Sequence, residues 1–232
     1  MHIDTDGGGS EGQTAAVRLD AGEACLVLRP DQIIAYQGAP QGREDRFLNP
    51  SGMYRKKLWV ESRLSGPARF VLGVPPGYYL KTLELQEESS LLFDMEHVLF
   101  YSENLRLQSR LLHTKEAFVS RDWVRMKFSG GGTLGLVSSG PLCGLTLHPE
   151  QPLYVDTGCL VAYPEEAKLR LCVYGNTLAS QRMNYQWEIT GTGSILVQPA
   201  GERGRGGGPL KRESLLRRVL REVLPFGSVW IK

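Results

Sequence analysis

Between Thr14 and Gln198 apolar and polar residues alternate over short runs, as in AAVRLDA, KKLWVES, RFVLGV, LRLQSRL, DWVRMKF, LRLCVYG and YQWEIT. A period of two puts the apolar side chains on one face, which is the signature of half-buried strands. Turn formers separate the runs at Pro30-Asp31, Gly38 to Gly42, Asn49-Pro50, Gly66-Pro67, Pro75-Pro76-Gly77, Gly130 to Gly132, Gly140-Pro141 and Gly175-Asn176. Many short strands at close intervals predict an all-β sandwich or barrel. We therefore expect one β domain over residues 14–200.

The runs also resemble one another. GEACLVLRPDQIIAYQG (22–38), EESSLLFDMEHVLFYSE (87–103) and PEQPLYVDTGCLVAYPE (149–165) align without gaps. Tyr36, Tyr101 and Tyr163 correspond, 65 and 62 positions apart, as do Glu23, Glu88 and Glu150. Apolar triplets match on both sides of a turn, so each segment predicts strand, tight turn, strand. A hairpin with one apolar face cannot bury that face alone, so three such units are expected to stack in a pseudo-threefold, barrel-like arrangement.

Both ends break the pattern. Residues 1–13 and the linker 201–208 are Gly-rich without apolar periodicity, and a disordered start and a flexible linker are expected there. Residues 209–224, PLKRESLLRRVLREVL, place Leu215, Leu216, Val219, Leu220, Val223 and Leu224 at helical spacing before Pro225. This predicts one amphipathic, Arg-rich C-terminal helix in the tail 209–232. The helix is expected to dock on its own body, another subunit or a protein partner, with a membrane surface as the alternative.

Composition narrows the function classes. The chain has 232 residues with 41% hydrophobic and 22% charged, as expected of a globular protein. Net charge is +2, but residues 201–232 hold eight Lys/Arg against three Glu, which leaves the body with 19 basic and 22 acidic residues. A slightly acidic body lacks the broad positive field of a nucleic-acid groove, so nucleic acid is not an expected partner. No apolar stretch approaches the roughly 18 residues of a membrane-spanning helix. The acidic start, MHIDTDGGGSEGQ, is unlike a secretory or transit segment. Cys25, Cys143, Cys159 and Cys172 form no CxxC pair and are expected to be buried thiols in a reducing cytoplasm.

The candidate chemistries are few. Gly130-Gly131-Gly132-Thr133-Leu134-Gly135 satisfies G-x-G-x-x-G, yet a strand follows it where a dinucleotide site needs a helix N-terminus, so turn glycines are expected. His97 is expected to be solvated beside a turn. His2, His113 and His148 lie on separate segments, and no metal site is expected. Gly193-Ser194 precedes a strand and is not a nucleophile elbow. Threefold stacking could gather Glu23, Glu88 and Glu150 and raise a carboxyl pKa, although solvated turn carboxylates are the simpler expectation. Tyr78, Tyr79, Tyr101, Trp123, Tyr154, Tyr163, Tyr185 and Trp187 could stack single-stranded RNA, but are expected to serve core and interface packing.

Residues 128–163, FSGGGTLGLVSSGPLCGLTLHPEQPLYVDTGCLVAY, resemble the bacterial and mitochondrial family named for altered inheritance of mitochondria, number twenty-four. Phe128, Gly130, Gly132, Gly140, Val155, Asp156, Val161 and Ala162 carry the resemblance, and ITGTGSILVQ (189–198) adds to it. It covers about 15–200. It implies the superfamily named after the tryptophan RNA-binding attenuation protein, with stacked pseudo-threefold β units and no catalytic residues to transfer.

The function expected from the sequence is that of a non-catalytic cytoplasmic binding or scaffold protein, homo-oligomeric and without cofactor. The alternatives are a small-ligand or RNA-binding β protein and a peripheral membrane-surface protein acting through the C-terminal helix.

Overall fold

A computed structural model describes residues 1–7, 13–47, 60–74, 76–87, 90–111, 124–174 and 184–199. The expected linker 201–208 and helix 209–224 lie outside the described residues, as do Glu88, His113 and Trp123.

Every long element among the described residues is a strand. The first seven are β1 (His2–Gly7), β2 (Gln13–Leu19), β3 (Ala24–Val27), β4 (Ile33–Gly38), β5 (Arg43–Phe47), β6 (Val60–Ser65) and β7 (Ala68–Val74). Then come β8 (Tyr79–Leu85), β9 (Leu91–Phe93), β10 (Val98–Ser102), β11 (Arg106–Leu111), β12 (Val124–Ser129) and β13 (Gly132–Ser138). The last six are β14 (Cys143–Thr146), β15 (Leu153–Asp156), β16 (Leu160–Pro164), β17 (Lys168–Tyr174), β18 (Asn184–Thr190) and β19 (Ser194–Val197).

A disordered segment was expected at 1–13; residues 8–12 of it lie outside the described residues, and the described start is a strand. His2 to Gly7 pair residue by residue with Arg18 to Gln13, and Met1 and Ile3 pack on the apolar core beneath. The Met1 amine also pairs with Glu23. The run of Asp4, Asp6 and glycines leaves Ile3 as the one apolar residue between His2 and Gly7, too little for a strand pattern in the sequence.

The strands form four antiparallel sheets, ordered β1-β2-β7-β4, β5-β6-β3-β10-β13-β8, β11-β12-β9-β16-β19-β14 and β15-β18-β17. Raising each strand number of the second sheet by six gives the third. The same step applied backward gives β4-β7-β2, which lies in the first sheet, and applied forward gives β17-β18-β15, the fourth. The two six-stranded sheets are complete, and the outer two are halves of the same pattern.

The three aligned segments fold as strand, short turn and strand: β3 to β4 through Pro30–Gln32, β9 to β10 through Met95–His97, and β15 to β16 through Thr157 to Cys159. Register refines the gapless alignment. Tyr101 lies opposite Leu26 and Tyr163 opposite Leu92, so Leu26 corresponds to Leu92 rather than Leu91. The first segment has two residues, Leu28 and Arg29, between strand and turn where the second has Asp94 alone.

Three buried clusters fill the space between sheets, around Phe70, Leu72 and Phe100, around Phe93, Tyr101 and Phe128, and around Trp187, Ile189 and Ile195. Phe128 meets Phe93 and Tyr101 edge-on at ring separations of 5.6 and 5.2 Å. Burial of these apolar surfaces is the main force holding the sheets together. Gly135 serves this packing: any side chain there would enter the ring of the fully buried Phe100.

Gly135→Ala is therefore expected to destabilise the protein by about 1–3 kcal/mol through overpacking. Gly144→Ala, whose new carbon would meet only Leu196 at 4.0 Å, is expected to change stability by less than about 0.5 kcal/mol. Denaturant melts of the two variants check the contrast.

Candidate functional site

The residues singled out for chemistry are absorbed by the fold. Gly130 has φ of +99° in the turn between β12 and β13, and a side chain on Gly132 would collide with Ser102 and Leu105. Strand β13 follows at once, so no helix N-terminus faces an anion there. His97 corrects the expectation of a solvated ring. It is half-buried, and its Nδ1 donates to the Val137 carbonyl at 2.8 Å, which fixes the tautomer because a carbonyl only accepts.

His2 and His148 are exposed, and no group of three metal-ligating side chains occurs among the described residues. Glu23 accepts from the Met1 amine and from the Asp20 backbone N–H, and these bonds hold its carboxyl below the ordinary carboxylate range. Glu150 is exposed in a turn. Tyr101, Tyr163 and Trp187 are buried in the core, whereas Tyr154 is open to solvent.

The expectation of four buried thiols holds at one position. Cys25 is buried, Cys159 and Cys172 are half-buried, Cys143 is exposed, and all four are free. Burial pushes the Cys25 thiol far up, which removes the reactive thiolate.

What the structure does bring together is a pair of joints inside the six-stranded sheets. At the first, β3 meets β10 with Leu26 opposite Tyr101, flanked by Leu28 N–H donating to Leu99 O at 2.8 Å and Glu103 N–H donating to Ala24 O at 2.9 Å. At the second, β9 meets β16 with Leu92 opposite Tyr163, flanked by Asp94 N–H to Val161 O at 3.1 Å and Glu165 N–H to Ser90 O at 3.0 Å. Leu99 and Val161 occupy the register shifts of β10 and β16, and each is 1% exposed.

An ion pair crosses each joint, Arg63 to Glu103 at 2.6 Å and Lys127 to Glu165 at 2.5 Å. Asp94 adds to the second, pairing with the buried Arg125 at 3.0 Å while its other oxygen accepts from Glu96 N–H. Asp156 accepts from Gly158 N–H in the same way. The sequence carries that signal as an Asp closing an apolar strand, in LLFDMEH and LYVDTGC.

The strands equivalent to these joints at the two ends have no such neighbour. β4 pairs only with β7, and β15 only with β18, among the described residues. Each bears an exposed large apolar residue: Ile34 is 61% exposed and Tyr154 53%. Ile34 occupies the register shift of β4, the place held by Leu99 and Val161. Beside β4 lies an open groove of about 410 Å³ lined by Arg18, Asp20, Gln37, Gly38, Pro67 and Arg69.

Two outcomes are expected from this geometry. Under native conditions a thiol reagent modifies Cys143 and leaves Cys25 unmodified until the chain unfolds, as read by mass spectrometry. Arg63 donates two hydrogen bonds to Glu103 and holds its carboxyl below the ordinary range, so the pair stabilises the fold above the unfolded-state pKa of about 4.3 and loses that effect as pH falls through the folded value. Both side chains are partly exposed, so Arg63→Gln costs under about 1 kcal/mol at neutral pH, and denaturant melts show the cost vanishing in acid.

No curated protein matches the chain. The crystal structure of protein SPYM3_0169 from Streptococcus pyogenes, a structural genomics target, is similar with a TM-score of 0.66 at 14% identity, over 96% of this chain and 99% of that one. That likeness is one of fold. Residues 8–200 match the family described as mitochondrial biogenesis AIM24, a span that takes in every strand from β2 to β19. The chain belongs to the AIM24 family.

Proposed function

We propose that this protein is a non-catalytic scaffold that works through protein–protein contacts and self-assembly. The observation that carries the proposal is the pair of sheet edges at β4 and β15 that have no further strand beside them among the described residues, each with a large apolar side chain in solvent. Exposed strand edges present rows of backbone donors and acceptors that pair readily with another chain. The glycines and His97 that could have suggested an activity have structural work, in packing and in a half-buried hydrogen bond.

The same proposal includes an internal threefold. The units are β2–β7, β8–β13 and β14–β19, and each gives three strands to one sheet and three to the next. This sharing supports kinship in fold with the superfamily of the tryptophan RNA-binding attenuation protein. A fold says nothing of the ligand, and RNA binding is not part of the proposal. The family description speaks of mitochondrial biogenesis, and a self-assembling scaffold is a role this chain would bring to such a process.

Native mass spectrometry of the protein purified under gentle conditions tests the proposal. Assemblies containing whole-number copies of the chain, or of the chain with a protein partner, are expected. A monomer carrying a stoichiometric small molecule would replace the scaffold with a ligand-binding protein.

A further inference from the structure

We infer that the groove on the outer face of the sheet β1-β2-β7-β4 binds a small soluble phosphate monoester, with Arg18 and Arg69 holding the phosphate and the rest of the molecule lying over Pro67. The site lies on the face of the sheet rather than on its edge, so the inference goes beyond the scaffold proposal and does not depend on it.

Register sets out the donors. Arg18 of β2 lies directly opposite Arg69 of β7, and Arg69 opposite Gln37 of β4, so three donor side chains stand in one row across three adjacent strands. The chain neighbours Val17, Leu19, Ala68 and Phe70 are buried, which turns Arg18 and Arg69 outward, and both are exposed. Adjacent strands are about 4.8 Å apart, so both guanidinium groups can reach one anion placed between them. His2 of β1, opposite Arg18, continues the row.

Charge calls for a ligand here. Like charges directly opposite one another destabilise a sheet. Other arginines are matched, Arg46 with Glu44, Arg63 with Glu103, Arg125 with Asp94 and Arg170 with Glu188. Arg69 has no ion pair among the described residues, and Arg18 has only Asp20 at 3.4 Å, with both of those side chains open to solvent. A dianion between Arg18 and Arg69 turns their repulsion into attraction, and a carboxylate supplies only half that charge. A phosphate monoester carries close to two negative charges at neutral pH, its second pKa being about 6, and its oxygens suit the guanidinium fork.

The equivalent rows elsewhere in the fold carry no such pair. Aligning the strands through Tyr36, Tyr101 and Tyr163 puts Glu84, Thr133 and Ser102 in the places of Arg18, Arg69 and Gln37 in the second set of strands, and Thr146, Ser194 and Pro164 there in the third. The second row is closed on itself. Thr133 donates its hydroxyl to Glu84 at 2.8 Å and its N–H to Ser102 Oγ at 3.0 Å, and Thr133 and Ser102 are buried. The first row keeps the backbone pairing and exchanges these groups for exposed donors, which leaves them for an acceptor from outside.

The groove narrows the class of ligand. At about 410 Å³ it has room for more than a phosphate ion, and beyond the arginines it is walled by Leu19, Gly38, Pro67 and Ala68, an uncharged surface for the body of an ester. Gln37 offers its amide to a neutral polar group on that body. A soluble ester fits better than a phospholipid headgroup, because the exposed Asp4, paired with Ala16 two residues along β2 from Arg18, and the exposed Asp20 would repel an anionic bilayer laid on this sheet.

Isothermal titration calorimetry of the full chain with glycerol 3-phosphate tests the inference, beside inorganic phosphate, acetate at equal ionic strength and vesicles containing phosphatidic acid. One saturable site per chain is expected, with inorganic phosphate bound more weakly and acetate not bound. Arg18→Gln and Arg69→Gln should each lower the affinity about tenfold or more, and without ligand should melt no lower than the parent, because each removes a like-charge neighbour. Arg18→Lys and Arg69→Lys, which keep the charge and lose the fork, stand in if a glutamine variant fails to fold, and should also bind more weakly than the parent. Arg46→Gln, on another sheet, should bind as the parent does. Binding should weaken below about pH 6, where the ester loses its second charge, and at about 1 M salt. No saturable binding, equal binding of acetate, an affinity unchanged in either glutamine variant, or binding to the vesicles alone would overturn the inference. Native mass spectrometry of Arg69→Gln reports on the scaffold proposal separately, since this substitution leaves the sheet edges intact.

Discussion

Both six-stranded sheets depend on strands from two parts of the chain that lie far apart in sequence. β3 sits two residues before a turn and has one neighbour, β6, from its own neighbourhood; its other edge is filled by β10 more than seventy residues later in the chain. An edge strand buried without a partner would leave backbone N–H and C=O groups unsatisfied, at a cost of about 1–3 kcal/mol for each group. The joints therefore decide the architecture. The register shifts at Leu99 and Val161 turn a backbone carbonyl toward the incoming strand and the side chain into the core, which couples the hydrogen bonding of a joint to its packing.

Much of this was legible in the sequence. The alternation in AAVRLDA and RFVLGV marked strands that the structure contains, and the alignment through Tyr36, Tyr101 and Tyr163 found the three strand pairs bounding each turn. The alignment could not find its own one-residue slip, because Leu26-Val27-Leu28 and Leu91-Leu92-Phe93 are both apolar at every place. Only pairing distinguishes Leu91 from Leu92. The N-terminal strand was missed for a different reason: its stability comes from β2 and the Met1 contacts rather than from its own composition.

The candidate site was less legible. Ile34, Leu99 and Val161 are equally apolar, so sequence alone predicts three core residues, and exposure of the first is a property of the missing neighbour. His97 shows the converse. A polar residue beside a turn suggests solvent, yet the turn is pressed against β13, where the Val137 carbonyl accepts a hydrogen bond from its ring N–H. In both cases the deciding partner is distant in the chain, and no local pattern encodes it.

Charge divides the joints from the edges in a way that packing alone does not require. Arg63–Glu103 and Lys127–Glu165 lie on the rim of joints that are already held by backbone bonds and apolar burial, and partly exposed pairs of this kind add little stability. Their greater effect is on selectivity. An incoming β4 would have to displace β10 from β3 or β16 from β9, and it carries Gly38 where those segments carry Glu103 and Glu165. The cation of each internal joint would then lose its carboxylate, so the internal joints discriminate against the strand that has none. The charges thus favour β10 beside β3 and β16 beside β9 over the uncharged β4, which keeps strands of similar apolar pattern from pairing in the wrong order.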